Sequence, residues 1–399
     1  MLKKTPFHTW TSALMQANQW RRWNGYEVAS AYEMTHDREY LAIRNACALI
    51  DISPLCKYHI SGPDALRFLN RLVTRDVSAC PIGGMLYTPW CNSQGQVIDD
   101  GTIAHLDTDL YRLTSAEPNL RWLQDNAIGM QVQIEDVGEQ IAALALQGPC
   151  SRALLQTLTD APLASLKYYG FVNTTIAGVP VMISRTGYTG DLGYELWLSA
   201  DADSTAAVWQ ALTTAGRSYG LHPAGIWALD VARIEAGLIM LDVDYTAAPQ
   251  AMTAAQASSP FEIGLGWAVN FKKGNFVGRS ALLAEKERGP SLQLVGLEVD
   301  HMAFERQHHE LGLPVPYPFK AWREVVPLFV DGQQVGYATS GTWSPTLKKY
   351  IVLAQVQPKY AAPGSTVTID LMVDRYRRPF AAKVVKLPFF NPARKKSVG

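Results

Sequence analysis

The sequence predicts an α+β chain whose last third is a separate β domain, and three observations carry that class. Apolar residues recur at helical and at strand spacing in alternating segments over roughly the first 285 positions. Two alternations share one order: KYHISGPDALRFLNRLV (57–73) and LALQGPCSRALLQTLT (144–159) each run strand, Gly-Pro break, helix, which points to two subdomains of similar build. After the polar link EKERGPS the chain turns rich in β-branched, proline and glycine residues. At roughly 150 residues per domain, the 399 residues make two or three domains.

Taken in order, residues 1–50 read as helical in pieces, ending in DREYLAIRNACALIDIS, where Tyr40, Ile43, Cys47 and Ile50 recur every three to four residues before the chain turns extended. In 61–77, Ser61 or Asp64 can cap, Pro63 suits a first turn, and Leu66, Phe68, Leu69 and Leu72 line one side of a helix. GQVIDDGTIAHLDTDLYRLTSA (95–116) reads as two strands around the Asp107-Thr108-Asp109 turn. Helices are expected again over 206–220, which ends in glycine, and over 223–238, with Ile226, Leu229, Val231, Ile234 and Leu238 on its buried side. In the β domain, Asp331-Gly332 is a hairpin signal. The basic ending PARKKSVG reads as a frayed tail.

Charge and composition narrow the function. With 36 basic and 36 acidic side chains there is no electrostatic case for nucleic acid or an anionic membrane, so the expected partner is small or neutral. Cys47, Cys56, Cys80, Cys91 and Cys150 form no CxxC pair and no regular framework, and no histidine stands at ligand spacing. Reduced thiols and no metal are expected. No run of about 18 apolar residues and no apolar segment after the opening lysines is present, so the chain is read as soluble and cytoplasmic. His59 and the other seven histidines are unassigned.

The stretch RTGYTGDLGYELWL (185–198) holds the most telling carboxylate. VPVMIS precedes it, and after it Tyr194, Leu196 and Leu198 share one face while Glu195 and Trp197 share the other. The glycines between make a β-hairpin with its loop at Gly187–Gly193, Tyr188 lying across from Glu195. Glu195 has two readings. It is solvated on the outer face of an edge strand, or it is a clamp that accepts two parallel N–H bonds from a ligand. The hairpin alone does not choose between them.

Landmarks in order along nearly the whole chain resemble the glycine-cleavage T-protein (aminomethyltransferase) family of tetrahydrofolate-dependent one-carbon transferases. They are DIS with SGPDALRFLNRLVTRDV, LYTPWCNSQGQVIDD, ALQGP, RTGYTGDLGYEL, ARIEAG, GLGWAVNF with VGRSAL, and TSGTWSPTL. The resemblance implies three domains around a folate channel, the last a β barrel or jelly roll. The expected division is two interleaved α+β subdomains within 1–285, roughly 1–50 with 140–250 and 51–139 with 251–285, and the barrel over 286–399. By the same resemblance Glu195 matches the glutamate that binds the pterin, whose N3–H and 2-amino group present two donors side by side. Tyr188 and Tyr87 would flank the ring, and Trp267 would add an apolar wall. For each aromatic, ordinary core packing is the plainer alternative. Arg233 is a further cofactor-binding candidate, against the simpler pairing with Asp230 on the same helix. Adjacent strand residues face opposite ways, so one carboxylate of VIDD faces the ligand; the resemblance assigns it to Asp99 and leaves Asp100 structural. Asp99 could orient the folate, stabilise positive charge at N5 or take a proton.

Three departures stand near the expected pocket. Leu229 replaces an arginine, Leu241 a frequent tyrosine, and Pro54-Leu55 a His-Met pair. Kept cofactor and changed substrate are the reading: a demethylase moving a methyl group from a small N-, O- or S-methylated donor to N5 of tetrahydrofolate. The alternative is the aminomethyltransferase of glycine cleavage, which needs a lipoyl carrier protein. A second alternative is a non-catalytic folate binder, whose signature cysteine FKKGNFVGRSAL lacks. Trp20, Trp23 and Tyr26 either close the substrate mouth or pack in the core.

Overall fold

The computed structural model describes residues 1–317 and 320–397. It divides into two compact units. The first takes Met1–Thr88, Asp99–Leu229 and the tail from Pro392; the second takes Pro89–Ile98 and Asp230–Asn391.

A six-stranded sheet organises the first unit, in the order Phe171–Ile176, Val179–Ser184, Gly193–Ser199, Ile141–Gln147, Cys47–Asp51, Leu221–Pro223. Leu144, Leu146, Tyr194, Leu196 and Leu198 point from it into a core with Val208, Trp209 and Leu212 of the helix Ala202–Gly216. A five-stranded sheet follows the order Met85–Cys91, Val97–Asp107, Leu110–Ser115, Cys56–Ser61, Gln133–Asp136.

The echoed Gly-Pro breaks have one physical cause. Gly62 and Gly148 sit at φ +115° and +127°, and a Cβ on either would lie 2.6 Å from a backbone carbonyl oxygen, of Gln131 or of Ala46. Only glycine closes these turns. The helices that follow are Ala65–Leu72 and Ser151–Gln156. Asp64 stands at the first helix's N-cap, but its carboxylate accepts the Gln131 N–H at 2.9 Å rather than a helical one.

Elsewhere the local reading needs revision. The helix Asp37–Asn45 stops before Cys47, and Cys47–Asp51 is a strand paired on both sides. A strand buried on both faces reads as a continuous apolar run, which helical spacing also fits. Residues 1–50 also contain the hairpin Gln19–Trp23 and Tyr26–Ala31, closed by Asn24-Gly25 with φ +44° and +79°. That is the turn Asn-Gly favours.

The second unit contains a closed six-stranded barrel, Gln293–Val299, Lys349–Val356, Gln333–Ser344, Val326–Val330, Thr366–Val373, Tyr376–Val385. Val295, Leu297, Val352, Ala354, Ile369 and Val384 fill it. Asp331-Gly332 turns one hairpin at φ +50° and +74°. The unit takes in more chain than the barrel, beginning at Asp230.

Candidate functional site

The glycine-rich hairpin is shaped around a single amide. Gln147, fully buried at the end of its strand, donates from Nε2 to the carbonyls of Thr186 (3.1 Å) and Tyr194 (3.3 Å) and accepts from Thr189 Oγ1 (2.8 Å). A Cβ on Gly187 or Gly193 would come within about 2 Å of that amide. The loop is thus wrapped on Gln147, which holds the strand Gly193–Ser199 in register with Glu195 opposite Ser184.

That strand is interior, flanked by Val179–Ser184 and Ile141–Gln147, so the edge-strand reading of Glu195 does not apply. Glu195 is half-buried. Its Oε2 accepts from Thr186 Oγ1 at 2.5 Å, its only hydrogen-bond donor among the described residues. Thr186 has one proton, so Ser184 is the donor in their 2.8 Å contact, and Ser184 in turn accepts from Trp197 Nε1 at 3.1 Å. Burial raises the Glu195 pKa above the usual glutamate value, opposed by Thr186 and by the charge of Arg112. A carboxylate so placed has acceptor capacity left for a ligand's donors.

The two aspartates of VIDD have different surroundings. Asp99 is 1% exposed. It accepts from the backbone N–H of Asp100 (2.7 Å), from Asn119 Nδ2 (2.7 Å) and from the N–H of Glu117 (3.4 Å). Burial, then the neighbouring charge of Asp100, push its pKa well above the usual carboxylate range. Asp100 is half-buried and accepts from Tyr87 Oη at 2.7 Å. Tyr87 is held well above the ordinary phenol value by burial and then by Asp100, with Tyr169 and Tyr188 near enough to add to it. Asp99 is thus tied into the fold through Asn119, while Asp100 is paired with Tyr87, whose phenol Tyr169 and Tyr188 also influence. The parity of a strand does not say which face points inward.

Tyr169 is a candidate site residue that sequence reasoning missed. It adopts φ +64°, donating its N–H to Arg185 O (3.1 Å) and accepting from Met85 N–H (2.7 Å), so it ties two strand ends together at the hairpin. Its ring stands edge-on to Tyr168 at 4.7 Å, and its phenol is raised by burial, then by Tyr168 and Glu195. KYYG at the mouth of a strand was the available signal.

Arg394 was missed as well. The tail is a short helical turn, Ala393–Lys395, rather than a frayed end. Arg394 donates to both oxygens of buried Asp191 in the hairpin loop (2.6 and 2.8 Å), and Arg185 donates to the carbonyls of Arg394, Lys395 and Ser397.

Two predicted candidates lie in the second unit. Arg233 is fully buried, with Nε donating to Asp230 at 2.8 Å and Nη1 paired with Asp244, so the simpler pairing is present. Asp244 also accepts from Thr339 (2.5 Å) and Ser340 (2.7 Å), and Asp230 from Arg323 (2.7 Å). Trp267 is 64% exposed, which removes core packing as its reason. Among the described residues no three metal-ligating side chains come together. None of their helices is long and apolar enough to cross a membrane.

Comparison with known proteins places the chain in a family. Residues 7–273 match the GCVT N-terminal domain, and 312–391 match the glycine cleavage T-protein C-terminal barrel domain. Aminomethyltransferase of Halothermothrix orenii is 38% identical over 88% of this chain and 90% of its own length. That of Bacillus subtilis is 36% identical over 89% and 90%. A crystal structure of glycine cleavage system aminomethyltransferase T from Bartonella henselae has TM-score 0.82 at 24% identity, covering 98% of this chain and 99% of that one, a match of fold. The chain belongs to the glycine cleavage T-protein family, whose members are tetrahydrofolate-dependent transferases.

Proposed function

We propose that this chain transfers an aminomethyl-derived carbon to tetrahydrofolate, with Glu195 holding the pterin edge and Asp100 as the carboxylate at the reacting nitrogens. The observation that carries the reading is the Tyr87–Asp100 pair beside Tyr169 and Tyr188, in the same unit as a half-buried Glu195 with one hydrogen-bond donor. Aminomethyltransferase relatives at 36–38% identity support the aminomethyl donor over the methyl donor expected from the sequence.

The reduced cofactor supplies N5 as nucleophile when bound. Everything else falls to the chain. Thr186 fixes the rotamer of Glu195, so two parallel acceptors meet the N3–H and 2-amino donors without reorientation. Asp100, held by Tyr87 Oη, offers negative charge where a cationic nitrogen develops and an acceptor for its proton. Asp99 keeps the strand in place through Asn119. On this reading a lipoyl carrier protein delivers the carbon. A demethylase with a small methylated donor is the second reading, favoured by Leu229, buried where the resemblance expects an arginine.

Turnover of Asp99→Asn and Asp100→Asn, with and without carrier protein, tests both points. Asp100→Asn is expected to lower kcat on the order of 10²–10³-fold, and Asp99→Asn less than about tenfold. The opposite ranking moves catalysis back to Asp99. Methyl transfer without carrier would replace the aminomethyl reading with the demethylase.

A further inference from the structure

Beyond Glu195 the face of the six-stranded sheet opens into a groove of about 280 Å³, lined by Arg112, Met182 and Trp197, with Asn173, Thr174 and Ser199 among its polar lining residues. Trp197 follows Glu195 by two positions on the same strand face, and Met182 is its partner in register. The indole is coupled to Glu195 through Ser184 and Thr186.

Arg112 is the unexplained group. It is 4% exposed, with its guanidinium carbon 4.4 Å from the centre of the Trp197 ring. Among the described residues its only hydrogen-bond acceptor is the Met182 thioether at 3.5 Å, and Nε has none. Glu195 is the one opposing charge that acts on it, without an ion pair between them, and burial pushes its pKa down to about 10. A buried cation left with a sulfur atom and an indole face lacks the acceptors that normally offset its desolvation. A guanidinium presents paired donors that match a carboxylate, and the stacked indole keeps its plane fixed.

We propose that this groove is a carboxylate-binding subsite, in which Arg112 receives the anionic group and Trp197 and Met182 receive an apolar body. The carboxylate belongs to a separate small acid or to the acidic tail of the folate cofactor, and the two sources share this chemistry.

Benzoate is the probe, with benzamide as its neutral counterpart, followed by calorimetry on the whole chain. Benzoate is expected to bind at least tenfold more tightly than benzamide. Arg112→Gln should remove that preference, and Asn173→Trp, at an exposed lining position, should block both probes while leaving thermal unfolding unchanged. Adding tetrahydrofolate or the tailless 6-methyltetrahydropterin then separates the sources. Benzoate retained with both identifies a separate acid; benzoate displaced by tetrahydrofolate alone identifies the cofactor's tail. No saturable benzoate binding up to about 10 mM, or binding indifferent to both substitutions, overturns the proposal. The first arms contain no folate, so their failure is distinct from a failure of Glu195 to bind the cofactor.

Discussion

Asp244 in the second unit and Glu195 in the first are both carboxylates set in largely buried surroundings, yet their partners differ. Asp244 is paired with Arg233 and accepts from the Thr339 and Ser340 hydroxyls and the Met240 N–H, while Asp230 accepts from Arg233 and Arg323. Glu195 has Thr186 alone and a cation that forms no ion pair with it. Buried charge satisfied by its own chain serves architecture. Buried charge left short of donors is available to a ligand.

The largest expected effect tests the closed cluster. Asp244→Ala leaves Arg233 buried with one carboxylate fewer and removes the carboxylate acceptor of Ser340 and of Thr339, the latter keeping only the Leu353 carbonyl at 3.2 Å, which should cost about 3–5 kcal/mol. Denaturant unfolding measures it. A loss below about 1 kcal/mol would erase the contrast, because Asp244 would then hold the fold no better than a surface charge does.

The open cluster should respond to pH in two opposite directions. Burial raises the Glu195 pKa, so the folded chain takes up its proton before the unfolded chain does as pH falls. Its contribution to stability is therefore fully present below the unfolded pKa and is lost as pH rises through the raised folded value. Folate binding runs the other way, since protonation removes the acceptors a pterin needs. Affinity should fall in acid through that raised pKa, by about 1.5–3 kcal/mol for each charged hydrogen bond lost. Glu195→Gln should bind weakly with no pH dependence in that window. A wild-type titration as flat as the Gln variant's would remove Glu195 from the pterin.

How much of this the sequence discloses depends on whether the cause is local. Gly62 and Gly148 announce their turns because the demand for positive φ travels with the residue. Glu195 and Trp197 share a face because strand period is fixed. The Gln147 amide that fills the hairpin loop is about 40 residues from it in the chain, and no periodicity connects them. That Asn119 holds Asp99 while Tyr87 holds Asp100, and that Tyr169 joins Arg185 and Met85, are contacts between segments that no local pattern discloses. Asn24-Gly25 was legible and went unread because the surrounding aromatics obscured the alternation.

A third cluster stands between the two extremes and should yield the smallest effect. Asp191 is fully buried, but one of its cations, Arg394, is 40% exposed at the side chain, while the other, Arg44, lies 3.5 Å away and is buried. Arg394→Ala removes two charged hydrogen bonds and leaves Asp191 with Arg44. Solvent screening of the exposed partner reduces the loss to about 1 kcal/mol. Because Arg394 faces water, that loss should shrink as salt is raised toward 1 M, where the screening length falls to about 3 Å. The loss from Asp244→Ala, whose charged and hydroxyl partners are all buried, should not shrink. Thermal unfolding of both variants across a salt series separates the cases, and parallel salt responses would mean that exposure does not set the worth of these pairs.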